Sequence, residues 1–336
     1  MNSKQRQHSN LVSILLLVIL TFGLFSAYQN RSRLHDKLRP IYKSGVVEAR
    51  RIKDKLESHD WGKQSDVVPI RSRISAKDGM KQVYVPEGQF LMGTDEKDLH
   101  MSRPAHSLYL DAFWIDQTEV TNAMYARCVE AGPCVVTAVP ENNYGKPGYA
   151  NYPVVYVTWY NAQTYCQWAG RRLPSEAEWE KAARGTDNRT YPWGDTPPNP
   201  WLANFNMNIG SPLPVDRYPL GASPYGALNM AGNVREWVMD WYNQSYYQRS
   251  PSINPQGAPT GEDKSLRGGS YLDDGREIRV FNRFQHVPTS PGINRGFRCA
   301  SDATAPAASI TPSTPTLSGP RIRFGLPASL TTFSFP

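Results

Sequence analysis

Residues 170–185 read GRRLPSEAEWEKAARG, and the segment from Leu173 onward carries a complete set of helix signals. Ser175 is placed to cap a helix N-terminus, and Glu178 three residues later completes a capping box. Pro174 precedes the helix and Gly185 stands just past its end, where a glycine closes a helix most readily. Upstream, WYNAQTYCQWAG (159–170) spaces Tyr160, Tyr165, Cys166 and Trp168 as a helix and ends on Gly170. Thr121 is placed to cap a third helix through NAMYARCVEAG, ending near Gly132. Further back the period changes. QVYVPEGQFLMG (82–93) alternates and breaks at Gly88, predicting a short hairpin, and SLYLDAFWID (107–116) alternates again. Beyond Gly185 the chain is mostly turns, with NMAGNVREWVMDWY (229–242) and RGGSYLDDG (267–275) as the exceptions.

Proline and glycine supply about 16 % of the 336 residues, against about 12 % in ordinary chains. That excess points to a loop-rich domain and away from a helical bundle or regular parallel sheet. With 40 % apolar and 20 % charged residues, wholesale disorder is excluded. The net charge of +7 suggests nucleic acid until it is located. From Tyr28 to Gln82, 14 Lys/Arg stand against 7 Asp/Glu, and residues 83–300 are left about three charges negative. A nucleic-acid footprint belongs on the folded body; here the basic charge lies outside it, so nucleic-acid binding is not expected.

Four segments follow. Residues 1–27 hold LVSILLLVILTFGLFSA (11–27), an uncharged apolar run. It reads as a signal peptide core or a short anchor, since a span needs about 17–25 residues. Phe25 occupies the −3 position where cleavage wants a small residue, which favours the uncleaved anchor. Residues 28–82 read as a basic stem, 83–301 as the single folded body, and 302–336 as a Pro/Ser/Thr/Ala-rich tail. The cations after the apolar run would keep the body in the cytoplasm by the positive-inside rule, whereas the cysteines argue for the outside.

GRRLPSEAEWEKAARG with YPWG (191–194), NMAGNVREWVMDWY, LRGGS (266–270) and GFRC (296–299) together resemble the formylglycine-generating enzyme, or sulfatase-modifying factor, domain. FLMG, DQTEVTNAMY and YPVVYVTWYNAQTYCQWAG fit the same family in the same order. The resemblance implies an α+β fold: one irregular domain, related to C-type lectin-like folds, with little regular secondary structure. It also implies a chemistry to look for. The enzymes proper oxidise a cysteine in a sulfatase peptide with oxygen and a copper(I) ion held by two thiolates, soft ligands that suit that ion. Both cysteines follow shortly after the GGS motif; here Tyr271–Arg279 contains none. The copper reaction is therefore expected to be lost.

By the same resemblance Cys166 and Cys299 match a disulfide pair, and Cys128 and Cys134, in CVEAGPC, would close a small loop. Two bridges imply an oxidising compartment, which places the body outside the cytoplasmic membrane. The family's calcium segment matches Asn229 and Glu236 as side-chain ligands with Gly232 and Val234 as carbonyl ligands, an oxygen set that calcium accepts. A second calcium site would begin at Asn204 and Phe205, without an identifiable acidic partner. Iron is the alternative metal, with His100, His106 and His286 the available histidines of the body; His106 reads better as a hydrogen-bonding residue. The family's substrate cleft would be shaped by Ser270, Tyr271, Asp273, Asp274, Glu277 and Arg298. The leading expectation is a peptide- or protein-binding accessory module. An oxygen-dependent oxidoreductase and a lectin-like glycan binder remain the alternatives.

Overall fold

A computed structural model describes residues 70–136 and 143–303. The apolar run of 11–27, most of the basic stem and nearly all of the C-terminal tail lie outside the described residues. Among the described residues no helix is long and apolar enough to cross a membrane.

The strands are β1 (Ser72–Ile74), β2 (Lys81–Val85), β3 (Gly88–Met92), β4 (His106–Leu110), β5 (Phe113–Asp116), β6 (Arg235–Trp241), β7 (Lys264–Arg267), β8 (Arg283–His286), β9 (Arg295–Phe297) and β10 (Ala300–Asp302). The helices are α1 (Asn122–Glu130), α2 (Trp159–Trp168) and α3 (Glu176–Arg184). One sheet has the order β1-β2-β5-β10, a second pairs β3 with β4, and a third runs β8-β7-β6-β9. Within the third, β6 and β9 are parallel while the other pairs are antiparallel. This is an irregular α+β fold.

Two expectations change. Segment 82–93 does not fold back on itself. Its partner is 106–116, and the register is unbroken across the gap: Val85 faces Phe113 and Gly88 faces Leu110. The two halves form one bent ribbon, interrupted at Pro86, which has no N–H to give to a ladder. The fold also begins before residue 83. β1 pairs with β2, Arg73 reaches Gln82 and Ser301, and Asp78 is buried against Arg171 and the Tyr165 hydroxyl. Residues 70–82, assigned to the stem on charge, thus complete the first sheet.

Two helices start at the caps expected for them, and the third has a cap the sequence reading did not name. Thr121 accepts from the Met124 N–H, and Ser175 with Glu178 forms the reciprocal box. Thr158 with Asn161 forms a second such box at α2. One apolar core joins the ribbon to α3 through Val83, Phe90, Leu108, Phe113, Trp179 and Phe281. Another packs α1 and α2 against the third sheet through Tyr125, Tyr165, Trp237, Leu266 and Phe297. Both bridges form, Cys128–Cys134 and Cys166–Cys299, with S–S lengths of 2.04 and 2.01 Å.

Helix α3 departs most from a sequence reading. Every one of its nine residues is buried although five are charged. A buried charge must be paired or hydrogen-bonded, and each is one or the other. Glu176 binds Arg283 through both oxygens and faces Arg267; Glu180 takes Arg267, Arg184 and the Gly93 N–H. Glu178 takes Arg172, and Lys181 donates to the carbonyls of Pro86 and Gly88. The helix is a polar axle in an apolar housing.

Candidate functional site

Three loops meet at the end of β7. The chain leaves Arg267 through Gly268 and Gly269 at φ 89° and 66°, left-handed values that suit glycine. A Cβ on Gly268 would stand 3.0 Å from Trp179, and one on Gly269 would meet Ile278 at 2.8 Å. The turn is then clamped from both sides. Gly232 N–H donates to the Gly268 carbonyl, and Tyr271 N–H donates to that of Asn233. From the other side, the N–H groups of Asn206 and Met207 donate to the carbonyls of Asp273 and Tyr271, both at 2.7 Å. Gly232 in turn lies so near Asn204 that a Cβ would sit 2.3 Å from its carbonyl oxygen. Loops 204–208, 229–236 and 268–278 therefore form one assembly, which brings the expected calcium segments and the expected cleft together.

Within the cleft set, Ser270 and Asp273 are buried and occupied. Both the N–H and the hydroxyl of Ser270 donate to Asp273 Oδ2, whose carboxylate also binds Arg235 through two nitrogens. Tyr271 is buried as well. Asp274 and Glu277 lie at the rim, where Asp274 Oδ1 accepts the N–H groups of Arg276 and Glu277. Arg298 is not in this turn. It is fully buried, with Nε and Nη2 on the two oxygens of Glu236 at 2.6 and 2.7 Å.

The calcium segment is organised around a residue that sequence reasoning left without a role, Glu119. Its carboxylate accepts from Asn229 Nδ2 and Asn233 Nδ2, each at 2.8 Å. Glu119 lies in the DQTEVTN motif, and an acid two residues before the Thr121 helix cap was the available signal. Glu236, besides Arg298, takes the Trp179 indole N–H at 2.8 Å. Two buried carboxylates thus share one buried guanidinium. Burial pushes the Glu119 carboxyl above its ordinary range, Arg298 opposes this, and the charge of Glu236 adds to it. The donor set is all oxygen and carries surplus negative charge, which is the chemistry calcium takes. At the second segment, Asn204 Oδ1 is buried and has no hydrogen-bond partner among the described residues, whereas the Phe205 carbonyl accepts the Asn208 N–H.

The histidines do not converge. His106 Nδ1 lies 3.0 Å from the Pro104 carbonyl, while His286 sits on β8 opposite Lys264. Among the described residues no group of three or more His, Cys, Asp or Glu is arranged to hold a metal. All four cysteines of the chain are in the two bridges and none is free.

Residues 71–303 match the sulfatase-modifying factor enzyme 1-like domain. A formylglycine-generating enzyme from Streptomyces coelicolor is 37 % identical over 66 % of this chain and 89 % of its own length. A hercynine oxygenase from Mycolicibacterium smegmatis is 33 % identical over 66 % of this chain and 61 % of its own. Among solved structures, PvdO from Pseudomonas aeruginosa superposes with a TM-score of 0.60 at 26 % identity, covering 70 % of this chain and 98 % of that one. The chain belongs to the sulfatase-modifying factor family, the family of the formylglycine-generating enzymes.

Proposed function

We propose that this chain is an extracytoplasmic binding or accessory member of its family, one that has given up copper-dependent cysteine oxidation. One observation carries the reading: every cysteine is consumed in a disulfide, so no thiolate is left to hold copper(I). The turn that follows Gly269 supports it. Asp273 is locked to Arg235 and Ser270, and a carboxylate is a hard ligand that copper(I) does not favour.

The partner in this reading is a peptide or protein. Leu272 and Glu277 are exposed on the turn with Asp274 partly exposed beside them, and Met207 is 60 % exposed on the adjoining loop. Met207 holds φ at 52°, a left-handed value costly for a residue with a side chain, and such strain gathers at functional surfaces. Calcium bound by Asn229, Gly232, Val234 and Glu236, next to Glu119, would neutralise the surplus charge and stabilise the assembly. The two disulfides favour an oxidising compartment, and the run at 11–27 would tether the body to the membrane.

The test is to give the oxidised full chain copper(I), oxygen and a cysteine-containing peptide. The expected result is no aldehyde in the peptide and no oxygen uptake above the peptide-free control. Catalytic aldehyde formation would overturn the reading and return the chain to the oxidases.

A further inference from the structure

A depression of about 850 Å³ opens elsewhere on the body and shares no lining residue with the assembly above. One wall carries His100 and Arg103; the other carries Asn243, Gln244, Ser245 and Gln248. No carboxylate lines it. Of the nearby acids, Asp95 accepts the Ala105 N–H and Glu96 pairs with Arg279, while Asp98 is exposed and does not line the depression. Arg103 is not engaged. Its Nε is buried without a hydrogen-bond partner, and its guanidinium has no ion pair among the described residues. An arginine left unpaired in a polar concavity keeps its terminal Nη donors available, and that pair matches a carboxylate, sulfate or phosphate group.

The two walls are braced from below. Arg283, held by Glu176 through two nitrogens, donates Nη1 to the Met101 carbonyl in one wall at 2.9 Å and to the Asn243 carbonyl in the other at 3.4 Å. Its guanidinium carbon lies 4.1 Å from the ring centre of buried Tyr247, which lies behind the second wall between Ser245 and Gln248 in sequence and tilts against His106 at 4.8 Å. The Asn243 side-chain oxygen is fixed by the N–H and hydroxyl of Ser245, which fixes the orientation of its amide. The buried polar axle around α3 therefore sets the spacing of the two walls, so the concavity is held open before any ligand arrives.

We propose that this depression binds a small ligand bearing an oxyanion, its charged group on the Arg103 guanidinium and its neighbouring polar atoms on the amides of Asn243, Gln244 and Gln248. The site is independent of the loop assembly after β7.

The test is calorimetric titration of the full chain with sulfate, phosphate and succinate, each against sodium chloride at matched ionic strength. Saturable one-to-one binding of at least one is expected, and the anion that binds distinguishes a carboxylate source from a sulfate or phosphate source. Arg103→Gln should weaken it by about tenfold or more, as loss of a charge-assisted contact predicts. Gln248→Ala, at an exposed position, should weaken it several-fold without altering the fold. As a readout free of substitution, phenylglyoxal should label Arg103 in the native chain, and the bound anion should protect it. Absence of binding by all three anions, binding unchanged in Arg103→Gln, or labelling unaffected by the anion would each overturn the proposal.

Discussion

At the scale of single residues, Asp240 sets how stability responds to pH. It is buried in β6 and accepts the Glu176 N–H at 2.7 Å, at the first turn of α3. Burial pushes its carboxyl well above the ordinary range, and the neighbouring charge of Glu176 pushes the same way. The unfolded chain releases this proton near pH 4 while the folded chain keeps it. Asp240 therefore subtracts stability as pH rises above about 4 and continues to do so until the folded carboxyl ionises. Asp240→Asn keeps an oxygen for the Glu176 N–H and removes the charge. It should be more stable than the wild type near pH 8 by about 1 kcal/mol or more, the value of one pKa unit, and nearly unchanged near pH 4. Urea denaturation at the two pH values checks this. Glu236 matters instead as an ion-pair partner, its two oxygens holding the Arg298 guanidinium. Glu236→Gln should cost about 3–5 kcal/mol by stranding a buried guanidinium, and Glu236→Gln with Arg298→Met should recover part of that loss. A double-mutant cycle in urea reads the coupling; simple additivity would refute it.

At the scale of elements, helix α3 shows what a sequence discloses and what it withholds. Ser175, Glu178, Pro174 and Gly185 fixed both ends, because caps depend on the residues beside them. Burial of Glu176, Glu180 and Lys181 was not legible, because their partners Arg267, Arg283 and the Pro86 carbonyl lie far off in sequence. An EAEWEKAAR pattern in isolation describes a solvated surface helix. The same limit applied to the ribbon: alternation located β2 through β5, while the choice between local hairpin and long-range pairing rested on Pro86. Since α3 holds the core as well as the braced walls above Arg283, its cap should matter globally. Ser175→Ala should lower unfolding free energy by about 1 kcal/mol, and a urea midpoint unchanged from wild type would contradict that.

At the scale of the whole molecule, the two bridges have unequal tasks. Cys166–Cys299 spans 133 positions and ties α2 to the segment between β9 and β10, while Cys128–Cys134 spans 6. The chain-entropy model gives about 5 kcal/mol for the long closure and about 2 kcal/mol for the short one. Replacing each pair by alanine and comparing denaturation midpoints should reproduce that order; equal losses would contradict it. Family and pairing were legible because the motifs are long and ordered. The domain edge was not, because Arg71, Arg73, Lys77 and Lys81 carry the composition of a stem while β1 completes a sheet. Of the expected site, the calcium segment and the GGS turn were found in contact, but Glu119 and the lock between Arg235 and Asp273 required the fold.

The proposed loss of copper chemistry within the family's architecture is open to a single measurement. That measurement is elemental analysis of the full chain, purified under non-reducing conditions from an oxidising compartment and exposed to calcium and copper(I). Stoichiometric calcium with no retained copper is expected. Stoichiometric copper bound by this chain would contradict it.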